Sequence, residues 1–305
     1  MSTLSTSVNT GQLTNPPIRP EYEIDLKPFN TMDDGKDSVL EKQLPFLVRL
    51  WHINGLRKIA ILLSLALCWE LLARWTNNDL LLPSFLQTFG AFAEGISSGE
   101  LFDRVSVSLS VLIQGYLLGI ALAFILTTVA VSTQLGRDIL TTFTAMFNPL
   151  PAIALLPLAL MWFGLGNGSL IFVIIHSVLW PLALNTFTGF QSVPVTLRMA
   201  GRNYGLTGLS FVIQILIPAA LPSILSGLKV AWAFAWRTLI AAELVFGASS
   251  GEGGLGWYIF QNRNELNTDK VFAGLAMVII LGLVVEGLIF RTLERLTIHR
   301  WGVQH

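Results

Sequence analysis

Six long apolar runs constrain the fold of this chain more than any other feature of its sequence. A helix that crosses a bilayer needs about 20 mostly apolar residues. We therefore predict transmembrane helices at residues 59–75, 109–131, 139–163, 170–190, 224–246 and 271–290. Only 12% of the 305 residues are charged, whereas soluble domains carry about 25%. The sequence thus indicates an all-α, polytopic membrane protein with six transmembrane helices.

Prolines and glycines within these runs predict local helix geometry. The third run contains Pro149, Pro151 and Pro157, which predict a kink or a break near its middle. Proline removes a backbone donor, and a membrane helix tolerates this loss only where it is buried or lines a cavity. In the second run, Gly115 and Gly119 form a G-x-x-x-G pattern, which permits the close approach of another helix.

The ends of the chain differ in composition from the apolar runs. Residues 1–39 are rich in Ser, Thr, Asn, Pro and Asp, and we predict a disordered cytoplasmic tail there. Leu44, Leu47 and Leu50 share one helical face, so residues 40–58 are predicted to form an interfacial amphipathic helix. The remaining predicted segments are a six-span domain, residues 59–298, and a cytoplasmic C-terminal tail, residues 299–305.

A polar interlude at residues 193–222 separates the fourth and fifth runs. It carries Arg198 and Arg202 but no acidic residue, and its apolar positions recur at helical spacing. We predict two short helices that are hinged at Tyr204 and Gly205 and held at the membrane surface. Such an element suits a contact with a soluble partner better than it suits a simple connection.

The distribution of basic residues predicts the orientation in the membrane, because connections rich in Lys and Arg face the cytoplasm. One set of connections contains Arg49, Arg57, Lys58, Arg137, Arg198, Arg202, Arg291, Arg295 and Arg300. The opposite set contains Arg74, Arg104, Arg263 and Lys270. We therefore predict that the richer set, both termini and the polar interlude are cytoplasmic.

Sequence motifs for catalysis and metal binding are missing. The only Gly-Lys pair is followed by Asp37, so the chain has no phosphate-binding P-loop, and we expect no ATP hydrolysis by that route. Gly251, Gly253 and Gly256 match G-x-G-x-x-G, but they follow a membrane span rather than a strand, and we interpret them as a tight external loop. One thiol, Cys68, is no metal site. The zero net charge gives no indication of nucleic-acid binding.

Ionisable residues deep within the runs are candidates for function, because a charge there is costly. Arg237 and Glu243 are six residues apart and do not share a helix face. Arg237 therefore needs a partner on another helix, a water-filled cavity or an anionic substrate. Pairing with Glu286, or with Glu243 of a second copy, is the structural alternative. The candidate residues of a substrate path are Asn148, His176, Trp180, Asn185, Trp232, Trp236, Arg237 and Glu243.

Residues 199–218 resemble the cytoplasmic signature of permeases of ATP-binding-cassette (ABC) importers. That signature reads E-A-A-x-x-x-G, then nine residues, then I-x-L-P, and its spacing is intact here. Methionine replaces Glu at position 199, glycine replaces Ala at 201 and isoleucine replaces Leu at 217. The resemblance implies that the ATPase-coupling residues are Arg198, Met199, Ala200, Gly201, Arg202, Tyr204, Gly205, Ile215, Ile217 and Pro218.

The resemblance extends over most of the chain, from about residue 69 to 295. The segment LLPSFLQT at residue 81 is similar to an external L-P-S-P segment of the family, and residues 149–169 resemble its third span and turn. Residues 226–264 resemble its fifth span and outer loop. The subgroup with these features is the nitrate, sulfonate and taurine permeases, whose relatives also import bicarbonate, aromatic carboxylates and pyrimidine vitamin precursors.

The resemblance implies a type I ABC importer permease in a bacterial inner membrane. Its partners would be a second permease copy, two cytoplasmic ABC ATPase subunits that hold ATP and Mg²⁺, and a periplasmic or lipid-anchored solute-binding protein. This chain would itself be no enzyme and hold no cofactor, but would carry a small solute, such as an anion, by alternating access. A secondary transporter and a non-transporting membrane scaffold are the alternatives from other classes, and the solute itself stays open.

Overall fold

The computed structural model describes residues 54–246 and 253–301. Within these residues every regular element is a helix. Of the described residues, 62–246 and 253–301 belong to one compact unit, and residues 54–61, at the start of the first helix, belong to another. The predicted tail at 1–39 lies outside the described residues, as does the predicted interfacial helix except for residues 54–58, which begin the first helix.

The described helices follow one another with short connections. In chain order they are α1 (Asn54–Thr76), α2 (Phe85–Ser97), α3 (Glu100–Ser132), α4 (Gln134–Phe147), a 3₁₀ turn (Ala152–Leu155), α5 (Leu156–Phe163), α6 (Asn167–Ser192), α7 (Val195–Asn203), α8 (Gly208–Ala219), α9 (Leu221–Phe246), α10 (Leu255–Asn264), α11 (Thr268–Val284), a π-helical segment (Val285–Phe290) and α12 (Arg291–Trp301).

Counted by helix length and apolar composition alone, the described residues contain fewer membrane spans than the predicted six. Four stretches of helix in the described residues are long and apolar enough to cross a membrane, namely α3, α6, α9 and the stretch Thr268–Thr297. The bent pair α4 and α5 makes up to five. The first predicted span lies within α1, whose apolar residues Leu62, Leu63, Leu65 and Leu67 are all more than half exposed. A count of six therefore stays a prediction.

The third predicted span is broken, as its prolines indicated. α4 and the segment Ala152–Phe163 meet at 91°, and Pro149 and Pro151 lie in the break. Pro157 lies in the first turn of α5, where a missing N–H costs nothing because helix N-termini leave it unpaired. The last span is longer than predicted, because the helix continues to Trp301 and includes part of the predicted tail.

The centre of the fold is α6, which packs between α3 and α9. Gly115 and Gly119 of α3 make this packing close. A Cβ atom at Gly115 would lie 2.7 Å from Ile174 Cβ, and one at Gly119 would lie 2.7 Å from Val178 Cβ. The close approach that the G-x-x-x-G pattern predicted is therefore confirmed, and its partner is α6.

Two short helices, α2 and α10, were not predicted. Ser84 begins α2 by accepting a hydrogen bond from the N–H of Gln87, while the Gln87 side chain accepts one from the N–H of Ser84, which is a capping box. α2 packs on α11, and α10 packs on α9 and α11. Both helices are too short to cross a bilayer.

We predict that Gly119→Ala destabilises the protein, because its Cβ atom would overlap Val178. Overpacking of this kind costs about 1–3 kcal/mol. The matched control is Gly90→Ala in α2, where nothing lies within 4 Å of the new Cβ atom. Thermal unfolding of the detergent-purified protein should show a lower midpoint for Gly119→Ala only. Equal midpoints for the two variants would contradict the close packing of α3 on α6.

Candidate functional site

A helical hairpin, α7 and α8, follows α6 and occupies the predicted polar interlude. Its turn depends on Gly205, which has φ = 76°, in the left-handed region that favours glycine. The N–H of Gly205 donates to the carbonyl of Arg202 (2.9 Å), and the N–H of Leu206 donates to that of Gly201 (3.1 Å). These two bonds form a Schellman turn. The predicted hinge at Tyr204 and Gly205 is confirmed.

The hairpin is packed against itself and against the end of α6. Gly201 is buried, and a Cβ atom there would lie 2.8 Å from Ile215 Cγ1 and 3.1 Å from Phe211 Cε2. Glycine thus lets α7 and α8 touch. A small apolar core joins the hairpin to α6 and α9, and it consists of Phe190, Val193, Phe211, Val212, Leu216 and Ala220.

The predicted coupling residues differ in their exposure. Those that are exposed in the described structure are Met199, Ala200, Arg202, Tyr204 and Gly205. Those that are buried or half-buried are Gly201, Ile215, Ile217 and Pro218. The first half of the motif therefore offers most of the surface available to a partner, and the second half maintains the shape of the hairpin.

Arg198 has a role that its sequence position did not reveal. Its Nε–H donates to the carbonyl of Val193 (3.2 Å), and its Nη2–H donates to the carbonyl of Phe190. The last carbonyls of a helix have no partner within the helix, and a basic side chain can satisfy them. Arg198 therefore ties α7 to the end of α6, rather than presenting a free charge to a partner.

A cavity of about 610 Å³ lies beside the bend between α4 and α5, and we call it the main cavity. Its wall consists of residues 147–153 in the bend, the middle of α6 and one face of α9. Pro149 and Pro151 line it, which fits the expectation for prolines in a membrane span. Of the predicted substrate-path residues, the main cavity gathers Asn148, His176, Trp180, Asn185 and Arg237.

His176 and Trp180 of the main cavity have polar atoms without a partner. Both ring nitrogens of His176 and Nε1 of Trp180 are buried and make no hydrogen bond within the described residues. Trp180 stacks on Phe147 with ring centroids 5.1 Å apart. Buried polar groups in folded proteins are nearly always hydrogen-bonded, so these three atoms are unusual among the described residues. By contrast, Asn185 Nδ2 already donates to the carbonyl of Pro181 (2.8 Å).

Arg237 is a charged residue of α9 that lines the main cavity. Its guanidinium carbon lies 5.6 Å from the ring centroid of Phe234. Among the described residues no carboxylate lies within 4 Å of its nitrogens, since the ion pairs there join other residues. An unpaired charge inside a membrane span is costly and marks a functional site by default.

A second cavity of about 340 Å³ lies between α9 and α11, and we call it the side cavity. Trp232 and Trp236 line this cavity and not the main one, while Arg237 lines both. Glu286 also lines the side cavity, but it pairs with Lys229 (Nζ to Oε1, 3.5 Å). The alternative that Arg237 pairs with Glu286 is therefore not what the structure shows.

Glu243 lies apart from both cavities, in contrast to its predicted place on the substrate path. Its buried carboxylate, 3% exposed, accepts hydrogen bonds from Ser108 Oγ (2.9 Å to Oε1) and from the N–H of Gly256 (2.8 Å to Oε2). The N–H of Leu255 donates to Ser108 Oγ (2.9 Å). A Cβ atom at Gly254 would lie 2.1 Å from Ser108 Oγ. The glycine run is thus fitted to this Glu243–Ser108 site, which holds the start of α10.

Comparison with known proteins identifies the family. Residues 115–297 match the family described as the binding-protein-dependent transport system inner membrane component. The chain belongs to this family. This permease is therefore a multi-pass inner membrane protein and the membrane component of an ATP-driven importer, not an enzyme. Membership also implies partners that hydrolyse ATP and bind the solute.

Relatives of the permease place it in the nitrate, sulfonate and taurine group. It is 33% identical to an ABC transporter permease protein of Methanocaldococcus jannaschii, over 75% of this chain and 86% of the relative. It is 31% identical to an aliphatic sulfonates transport permease protein of Escherichia coli, over 76% of this chain and 87% of the relative. It is 26% identical to the nitrate import permease protein of Leptolyngbya laminosa, over 82% of this chain and 86% of the relative. These relatives give no support to a secondary transporter or a scaffold subunit.

The partner of Glu243 in the permease was missed by sequence reasoning. Ser108 lies 135 residues from Glu243 along the chain and is one of several serines near the start of α3. Arg104, one turn earlier, donates to the carbonyl of Gly253 (2.9 Å) and strengthens the same contact. The only available signal was that a buried carboxylate and a glycine run lie close together in sequence, which predicts backbone donors near the acid.

We predict that Glu243→Ala lowers the stability of the permease, because it leaves the N–H of Gly256 and the hydroxyl of Ser108 buried without this acceptor. Each such group costs about 1–3 kcal/mol. Glu243→Gln keeps one acceptor oxygen, so its stability should be closer to that of the wild type. The control is Glu265→Ala, which removes an exposed carboxylate just after α10. Unfolding midpoints of the purified variants test this order of stability. A wild-type midpoint for Glu243→Ala would contradict the prediction.

Proposed function

We propose that the main cavity forms part of the translocation path for a small oxyanion and that Arg237 is its anion-recognising residue. The candidate solutes are nitrate, a sulfonate such as taurine, bicarbonate or a carboxylate. Relatives of the chain are named for aliphatic sulfonates, taurine and nitrate. All of these carry planar or trigonal oxygen groups, which the fork of a guanidinium binds through two parallel hydrogen bonds.

The observation that carries this proposal is the missing counter-charge of Arg237. The two other charged residues of α9 have partners: Lys229 pairs with Glu286, and Glu243 binds Ser108 and Gly256. Arg237 has only the Phe234 ring and an open cavity. In a medium of low dielectric constant such a cation attracts an anion strongly. A solute anion that enters the cavity supplies the charge that the described residues do not.

The rest of the main cavity supports the same solute class. Asn148 and Thr238 add neutral side chains with hydrogen-bond donors to the lining, whereas the unpaired nitrogens of Trp180 and His176 are buried. Among the described residues, no Asp or Glu lines the main cavity. A site with one cation, several neutral donors and no carboxylate favours an anion over a cation, because a cation would find no opposite charge.

The proposed transporter contains two copies of this permease, two cytoplasmic ATPase subunits and an external solute-binding protein. Both termini and the α7–α8 hairpin face the cytoplasm, where the hairpin docks on an ATPase. Its exposed apolar side chains Met199 (59% exposed) and Tyr204 (86% exposed) fit this role. Closure of the ATPases on ATP would rotate the permeases and open the cavity outward, and hydrolysis would reset it inward.

We predict that Arg237→Gln lowers solute uptake by about 10- to 100-fold, which is the worth of about 1.5–3 kcal/mol for a charged hydrogen bond. Arg237→Lys keeps the charge but loses the planar guanidinium fork, so its uptake should lie between that of Arg237→Gln and that of the wild type. The control is Arg263→Gln, because Arg263 also lies over a phenylalanine ring, at 5.4 Å, but on α10 outside the cavity.

The measurement is uptake into proteoliposomes that contain the complete complex and its binding protein. The probes are nitrate, taurine, bicarbonate and benzoate, and the unfolding midpoint and ATPase activity are recorded for each variant. A cavity role predicts stable Arg237→Gln complexes with ATPase activity and poor uptake. Wild-type uptake in Arg237→Gln would sink the proposal, and so would transport of none of these anions by the wild type.

We predict that Gly205→Pro uncouples or releases the ATPase while the spans stay folded. Proline fixes φ near −65° and lacks an N–H, whereas Gly205 has φ = 76° and donates to Arg202. The matched control is Val195→Pro at the first residue of α7, where the preceding Pro194 is already extended and no backbone bond is lost. Co-purification of the ATPase and binding-protein-stimulated ATP hydrolysis report the result. Normal coupling in Gly205→Pro would refute the docking role.

A further inference from the structure

The side cavity is lined by two basic residues, Lys229 and Arg237, and by one acidic residue, Glu286. Glu286 lies 3.5 Å from Lys229 (Oε1 to Nζ), and Lys229 also lies 3.8 Å from Glu294 Oε1. Arg237 lines the same cavity as Lys229 and Glu286 but pairs with neither acid. The position of Lys229 therefore decides whether Glu286 is available to Arg237.

The closeness of Gly282 in α11 to Trp236 in α9 gives the level of Glu286 relative to Arg237. A Cβ atom at Gly282 would lie 3.9 Å from Trp236 Nε1, so these two residues face each other. Lys229, two turns earlier in α9, contacts Glu286, which follows Gly282. The two helices thus run antiparallel, and Glu286 lies about one turn from the level of Trp236, or about 6 Å along the axis.

The direction of helical side chains shortens this gap. A Cα–Cβ bond in an α-helix tilts towards the helix N-terminus. In an antiparallel pair, the Arg237 side chain therefore leans towards the level of Glu286, and the Glu286 side chain leans towards the level of Arg237. A change of rotamer can bring the two charges together if Lys229 does not hold Glu286.

Glu286 lies in the π-helical segment Val285–Phe290. Such segments are rare and occur frequently at functional sites, since the wider turn shifts the register of the side chains that follow. Here the segment separates α11 from α12 and includes the acid that Lys229 binds. This placement is consistent with a functional part for the Lys229–Glu286 pair in addition to its ion-pair contact.

We infer that Lys229 is a positioning residue for transport: it occupies Glu286 and so keeps the guanidinium of Arg237 available to an anion in the main cavity. The inference rests on the proposed role of Arg237. Without Lys229, the nearest cation for Glu286 in the side cavity is Arg237, and an internal carboxylate then competes with the solute for the same fork. The pair Lys229–Glu286 thus acts on the solute through Arg237 and does not touch it.

The test compares Lys229→Gln, Glu286→Gln and the double variant in proteoliposomes with saturating binding protein. The probe is whichever of nitrate, taurine, bicarbonate and benzoate the wild-type complex imports. We expect Lys229→Gln to lower the initial uptake rate about 10-fold while ATPase activity and the unfolding midpoint stay near wild type. Glu286→Gln should stay within about 2-fold of wild type, and the double variant should regain uptake, because no free carboxylate remains.

A purely structural ion pair predicts a different pattern. Removal of either partner would then leave an unpaired charge, so both single variants would lose stability and uptake together. That symmetric result would overturn the inference. So would wild-type uptake in Lys229→Gln, or a failure of both Lys229→Gln and Lys229→Met to assemble, because a positioning residue is not needed for assembly.

Arg237→Gln separates failure of this inference from failure of the proposed function. If Arg237→Gln imports normally, the role of Arg237 is refuted and the inference falls with it. If Arg237→Gln is impaired but Lys229→Gln is normal, only the inference fails. In the Arg237→Gln background, Lys229→Gln should cause no further loss of uptake, since the residue it positions is gone. An additive loss in that background would contradict action through Arg237.

Discussion

The bilayer supplies no hydrogen-bond partners, so every polar group within the spans must find one in the protein or in a cavity. Most of the polar groups described in the permease meet this condition. Glu243 takes its donors from Ser108 and Gly256, and Tyr116 Oη–H donates to the carbonyl of Leu228 (2.8 Å). Among the described residues, Arg237, His176 and Trp180 are exceptions, and all three line the main cavity. The fold therefore contains charged groups that hold helices together and one charged group, Arg237, that we propose binds the solute.

The sequence predicted the features that depend on local pattern. Apolar length located four of the predicted spans, prolines located the break between α4 and α5, and Gly205 located the turn of the hairpin, because each of these effects acts within a few residues. The Gly115 and Gly119 pattern predicted close packing, but it could not name α6 as the partner. The helices α2 and α10 were missed, since short external helices lack the apolar length that marks a span.

Most of the candidate site could not be predicted from the sequence, because its contacts join segments that are distant along the chain. Asn148, His176 and Arg237 were each suspected, but only the fold shows that the bend, α6 and α9 bring them to one cavity. The hydrogen bonds of Glu243 were not predicted, because an acid deep in an apolar run looks the same in sequence whether it faces a pore or binds backbone N–H groups. The relation between Glu286 and Lys229 depends on the register of α9 against α11, which no pattern in either helix specifies.

The bonds from Arg198 to the end of α6 make one helix both the anchor of the hairpin and a wall of the main cavity. Trp180 lies ten residues before Phe190, which is about 15 Å along the helix axis. Pro181 lies between them and interrupts the helical hydrogen bonds. α6 is thus a long helix whose hydrogen bonding is interrupted at Pro181, next to the aromatic residues of the main cavity. If the hairpin docks on an ATPase as proposed, a load on the hairpin would bend α6 near Pro181 and so change the shape of the main cavity beside Trp180.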